Sequence, residues 1–71
     1  MATEVEAEIA GSVWKIETRI GARVEEDDVL LILESMKMEI PVEAPCAGCV
    51  SEIRVQEGDS IEEGAILAVI E

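Results

Sequence analysis

The sequence predicts an all-β fold, a flattened β-barrel or sandwich whose two halves are related by a pseudo-twofold axis. Three observations carry this expectation. Residues Ala7–Glu34 align with Ala44–Glu71 at an offset of 37 without a gap, giving ten identities in 28 positions, far above chance for this composition. Ala10/Ala47, Gly11/Gly48, Val13/Val50, Ile16/Ile53, Gly21/Gly58 and Leu30/Leu67 are among them. The apolar runs are short and rich in β-branched residues, too short for independent helices. Trp14 is the only aromatic residue, so the core is built from Val, Ile, Leu, Ala and Met, a set suited to thin, closely packed sheets.

Taken in order, Ser12–Ile16 and Cys49–Val55 are strand-forming runs opened by Gly11 and Gly48. Ile20–Val24 and Glu57–Ile61 follow, where Gly21 and Gly58 permit the positive φ of a tight turn. Asp27 stands where the second copy has Gly64, and aspartate is one of the few other residues that tolerate a left-handed turn. Val29–Leu33 and Ile66–Ile70 are continuous apolar runs read as strands, although Glu25–Leu33 also passes as one weak helical window. Pro41 has no N–H for a ladder, which predicts an edge strand there.

Neither half can close a core alone, so the two should interlock. Symmetry then puts Glu34 and Ala44 at one end of the body and Ala7 and Glu71 at the other. One domain is expected over residues 1–71, with repeat halves 7–34 and 44–71 and a bridging hairpin over 35–43 that caps the end opposite the termini. Its own Met1 and the filled domain favour a separate polypeptide.

The formal charge is −12, from 17 acidic against 5 basic residues. That balance argues against nucleic acid, whose phosphates require basic patches, and against an anionic membrane surface. A solvated acidic exterior is the plain reading; steering toward a basic docking face on a partner enzyme is the sharper one. There is no histidine, which removes the commonest general base and the commonest metal ligand together. The remaining carboxylates are scattered, so no active site is expected. No stretch approaches the roughly 20 apolar residues of a membrane span. Glu4, Glu6 and Glu8 give the first segment the wrong charge for a leader, so a cytoplasmic location is expected.

Cys46 and Cys49 cannot complete a tetrahedral zinc site by themselves. Their repeat partners, Ile9 and Ser12, point instead to a core position and a strand start, with free thiols in a reducing compartment. Trp14 aligns with Ser51 and is expected to cover a sheet edge, a partner contact being the alternative.

Lys37 has no counterpart in either copy. It lies in Glu34-Ser35-Met36-Lys37-Met38-Glu39, at the join of the halves, and Lys15 is the only other lysine. Exposed methionines are unusual company for a solubilising lysine, because thioethers favour cover or a partner's apolar surface. A long amine presented at a hairpin tip suits covalent modification rather than a pocket. Nothing nearby would activate it, so deprotonation is left to a modifying enzyme.

That segment resembles the Met-Lys-Met motif of biotinyl domains, the biotin carboxyl carriers of biotin-dependent carboxylases. The likeness extends through Gly11-Ser12-Val13, Gly21-Ala22-Arg23-Val24, Val29–Leu33, Ala47-Gly48-Cys49-Val50, Gly58-Asp59-Ser60-Ile61 and Gly64-Ala65-Ile66-Leu67. It covers nearly the whole chain and is similar to the small free-standing biotin/lipoyl attachment proteins. The resemblance implies two four-stranded antiparallel sheets, the barrel-sandwich hybrid, and a non-catalytic role. Lys37 would receive biotin as an amide from biotin protein ligase. The tethered group would then carry carboxyl from a biotin carboxylase to a carboxyltransferase acting on an acyl-CoA or keto acid, with tethering raising the local concentration. Met36 and Met38 would serve recognition and hairpin geometry, and Glu34 and Glu39 would be secondary contacts with the ligase. Ser35 departs from the alanine most often found there, and the Gly11–Gly21 spacing leaves no room for the protruding thumb of some carriers. A lipoyl carrier of a 2-oxo acid dehydrogenase shares the expected fold, although its hairpin usually reads Asp-Lys-Ala. An unmodified adaptor barrel is the reading from a different class.

Overall fold

Short runs of alternating buried and exposed residues, punctuated by turns, organise the chain. In the computed structural model the described residues, 2–71, form eight strands and no helix. Met1, part of the domain expected over 1–71, lies outside the described residues. The strands are β1 (Thr3–Glu6), β2 (Gly11–Ile16), β3 (Arg23–Val24), β4 (Val29–Ser35), β5 (Met38–Glu43), β6 (Gly48–Ile53), β7 (Ser60–Ile61) and β8 (Ile66–Ile70). They make two four-stranded antiparallel sheets, a terminal sheet ordered β1-β8-β6-β3 and a hairpin sheet ordered β5-β4-β2-β7.

The repeat is visible in this order. A shift of 37 residues carries β2 onto β6, β3 onto β7 and β4 onto β8, while β1 stands to β8 as β5 stands to β4. Thr3 pairs with Ile70 as Ile40 pairs with Leu33. Backbone bonds between the halves repeat in the same way. The Gly21 N–H donates to the Val50 carbonyl at 2.7 Å, and the Gly58 N–H to the Val13 carbonyl at 2.7 Å. Each half thus supplies the short third strand that completes the other half's sheet, which is the expected interlock. The ends differ from expectation, because Ala44 lies beside Asp28, at the far end of β4 from Glu34, and Ala7 beside Ala65, at the far end of β8 from Glu71.

The turns follow from local chemistry. Gly21 and Gly58 have φ of 91° and 94°, and Asp27 takes 73° where Gly64 takes 89°. Two aspartates stiffen different loops: Asp28 Oδ2 accepts from the Glu25 N–H at 2.9 Å, and Asp59 Oδ2 from the Gln56 N–H at 2.8 Å. Asp27 at positive φ interrupts the weak helical window over Glu25–Leu33, which is a turn running into β4. β5 is an edge strand, so Pro41 leaves no internal ladder bond unmade.

The core comprises two clusters exchanged by the pseudo-twofold. One holds Val24, Leu30, Ala44, Val50, Ala68 and Ile70; the other holds their repeat mates Ile61, Leu67, Ala7, Val13, Leu31 and Leu33. Leu30 and Leu67 are fully buried, each contributing about 1.5–3 kcal/mol by removal from water. Cys46 packs partly buried against the first cluster, and Cys49 is an exposed residue of β6; both are free thiols. Trp14 does not cover a sheet edge as expected. β2 is internal to its sheet, and Trp14 occupies an irregularity in the β2–β4 register, exposed to solvent.

Candidate attachment site at the β4–β5 hairpin

Alternation along β4 sends Leu31 and Leu33 into the core and Ile32 and Glu34 outward. The inward leucines fix the register, and the strand leaves the body through Ser35. Ser35 pairs with Met38, so the loop between β4 and β5 is only two residues long, Met36 and Lys37. The sequence-based hairpin over 35–43 is therefore mostly strand, with Met38 opening β5. Both loop residues have positive φ, 53° and 65°, the signature of a type I′ turn. This turn matches the right-handed twist of the flanking strands and so joins them without splaying the hairpin. For residues with a Cβ, the conformation costs about 1 kcal/mol or more each, an expense the flanking sheet must overcome.

The row below the turn is Glu34 opposite Glu39, both exposed. Like charges directly across a strand pair are mildly destabilising. The next row, Leu33 with Ile40, anchors the hairpin to the core. On its other side β4 is held by β2, where Ser12 pairs with Glu34. Here the fold demands glycine at position 11: a Cβ on Gly11 would stand 2.5 Å from the Glu34 carbonyl oxygen.

All five singled-out residues gather at this tip. Met36 is 90 % exposed and Met38 64 % exposed, Lys37 projects into solvent, and Glu34 and Glu39 lie directly beneath. Among the described residues the ion pairs are Lys15–Glu17, Arg54–Glu4 and Arg54–Glu52, and Lys37 takes part in none. No group of three or more His, Cys, Asp or Glu among the described residues is arranged to hold a metal, and no helix is long and apolar enough to cross a membrane. The tip offers what an acyl acceptor requires, a primary amine without a charged partner and with open approach. An amide-linked group fits here without displacing any packed side chain.

Sequence reasoning missed two contributors. The left-handed backbone at Met36 and Lys37 carries no glycine or asparagine signal. As a strand opener Gly11 gives no sign of this contact by itself, yet its repeat mate Gly48 meets the Glu71 carbonyl in the same way, with a Cβ 2.6 Å from the oxygen. The matched glycines were the signal that could have exposed this close approach.

A family model described as "Biotin-requiring enzyme", covering biotin and lipoyl domains, matches residues 1–70. The chain belongs to this biotinyl/lipoyl domain family. Its biotinyl relatives include the biotinylated protein TB7.3 of Mycobacterium tuberculosis, 50 % identical over 42 residues, a match spanning 59 % of each chain. The chain also superposes on part of the Kluyveromyces lactis urea carboxylase with a TM-score of 0.95 and 37 % identity, covering 100 % of this chain and 6 % of that one. A single-chain, multi-domain long-chain acyl-CoA carboxylase gives 0.90 and 29 %, covering 96 % of this chain and 7 % of that one. The chain is thus a biotin-carrying domain, homologous to the biotinyl domains of carboxylases, in a family that forms their non-catalytic carrier part. The all-β architecture of two four-stranded sheets is common to this group.

Proposed function

We propose that Lys37 is the biotin attachment residue and that the domain over residues 1–71, with its hairpin at 35–43, acts as a biotin carboxyl carrier. The observation that carries this reading is the two-residue turn that holds Lys37 in solvent between two exposed methionines. In the attachment step, Lys37 Nζ forms a C–N bond to the activated biotin carboxyl. The activating group departs, and the amine's proton passes to a base on biotin protein ligase. Met36 and Met38 give that enzyme apolar contacts on either side of the amine, while Glu34 and Glu39 add polar ones. When bound, biotin supplies a ureido nitrogen that accepts and later releases a carboxyl group.

The chain's own part is presentation. The type I′ turn fixes where the arm begins, and the exposed tip can enter the active sites of a biotin carboxylase and a carboxyltransferase in turn. Tethering keeps both transfers within one assembly, where local concentration replaces tight binding. The acceptor is an acyl-CoA, a urea-like amide or a keto acid, according to the carboxylase served, and the setting is the cytoplasm.

The test is intact-mass spectrometry of the chain produced in cells that contain both biotin and lipoate ligases. The expected result is one biotin increment, abolished by Lys37→Arg without loss of folding. A lipoyl increment instead would assign the lipoyl carrier. An unmodified chain that streptavidin fails to bind would overturn the carrier reading in favour of an adaptor.

A further inference from the structure

The two sheets are near copies in their cores and differ on their outer faces. In the terminal sheet an outward row runs Glu4–Val69–Glu52 across β1, β8 and β6. Arg54 spans it: its Nε donates to Glu52 Oε1 at 3.0 Å, and its guanidinium lies 3.9 Å from Glu4 Oε2. Val69, between those carboxylates in register, is only 3 % exposed. Ser51 adds a hydroxyl bond to the Val69 carbonyl at 3.2 Å.

The equivalent row of the hairpin sheet is Pro41–Ile32–Lys15. Position 54 corresponds to Glu17, which pairs with Lys15 at 3.6 Å, so the ion pair is kept with its polarity reversed. Pro41 replaces Glu4, leaving no charge on the far side for Glu17 to reach. Among the described residues no ionic strap crosses this row, and Ile32 is only half-buried. In place of Ser51 stands Trp14, 48 % exposed. One face is therefore sealed by its own side chains, while its twin is left with Trp14, Ile32 and Pro41.

Location and charge narrow what covers this open face. The Ile32–Pro41 row is three residue pairs from the Ser35–Met38 pair that closes the hairpin, roughly 10 Å at about 3.3 Å per residue. The row therefore lies within reach of an enzyme that takes Lys37 into its active site. Lys15, at one end of the row, is ion-paired with Glu17, and the carboxylates of Glu34, Glu39 and Glu43 lie around Ile32 and Pro41 on the same sheet, within a chain of net charge −12. The complement is an apolar patch ringed by Lys and Arg. We infer that the outer face of the hairpin sheet, centred on Trp14, Ile32 and Pro41, is the docking surface for the protein ligase that modifies Lys37. This inference rests on the carrier reading above.

The pseudo-symmetry supplies the test. Trp14→Ser, Lys15→Glu, Glu17→Arg and Pro41→Glu together copy the terminal face's strap onto Ile32, a pattern the fold already accommodates. With purified biotin protein ligase, biotin and ATP, the KM for the four-fold variant should rise about tenfold or more with kcat unchanged, since the tip is untouched. Trp14→Ser alone should give a smaller rise, and Ser51→Trp on the opposite face none. Circular dichroism checks that each variant folds. Because the chain has a single tryptophan, fluorotryptophan incorporation gives one fluorine resonance, which should shift on titration with the ligase. Raising ionic strength should lower kcat/KM for the parent chain. Equal kcat/KM for parent and four-fold variant, with an unmoved fluorine resonance, would overturn the inference alone. No transfer to the parent chain would remove the carrier reading and this inference with it.

Discussion

Gly11 touches the backbone of Glu34 so closely that a Cβ would come within 2.5 Å of the Glu34 carbonyl oxygen. The strand that leads to Lys37 is thereby clamped on its β2 side one residue before the Ser35–Met38 pair that closes the hairpin. Gly48 repeats the relationship with Glu71 at the opposite end. Both Gly11→Ala and Gly48→Ala force backbone apart and should cost about 1–3 kcal/mol, read from denaturant midpoints. Gly11→Ala should also slow biotin transfer to Lys37, and Gly48→Ala should leave the rate unchanged. Equal rates for the two would show that the clamp does not position the tip.

The turn itself holds removable strain. Met36→Gly relieves a left-handed backbone at a residue with a Cβ, so thermal unfolding should shift upward by about 1 kcal/mol equivalent or less. Labelling by the ligase should fall, because an exposed thioether and a restricted backbone are lost together. A variant both more stable and labelled as fast as the parent would deny Met36 a part in recognition.

The paired cores offer a test of the duplication. Leu30→Ala and Leu67→Ala each open a cavity at a fully buried site and should cost about 2–5 kcal/mol. Their costs should agree closely, since each leucine sits in a mirrored cluster. A domain of this size has little stability to spare, so either variant should populate the unfolded state measurably. Chemical denaturation with circular dichroism reads both values.

Selectivity between the two lysines is the last expectation. Lys15 lies on the flat of β2, ion-paired with Glu17. Lys15→Arg should therefore leave the biotin increment and its rate unchanged, whereas Lys37→Arg abolishes the increment. Peptide mapping after proteolysis locates the label.

Much of this architecture was legible beforehand, and the reasons are particular. The matched pairs Gly21/Gly58 and Asp27/Gly64 are backbone requirements, and backbone requirements survive duplication. Pro41 marked an edge because its missing N–H forbids the interior of a ladder. Lys37 stood out by having no mate. What was not legible depends on contacts distant in sequence. Nothing in Met36-Lys37 announces positive φ; the paired strands on either side impose it. Nor did Trp14 announce that its strand would be internal, since β7, which pairs with the Gly11–Ser12 end of β2, lies more than forty residues further along.

The pairing of Thr3 with Ile70 has a mechanical consequence. Thr3 and Ile70 lie side by side, so a pull applied at these two residues is borne by the β1–β8 ladder. Little of that load would be transmitted to the loop bearing Lys37. Under such a pull the Lys37 amine should keep its orientation relative to the body of the domain.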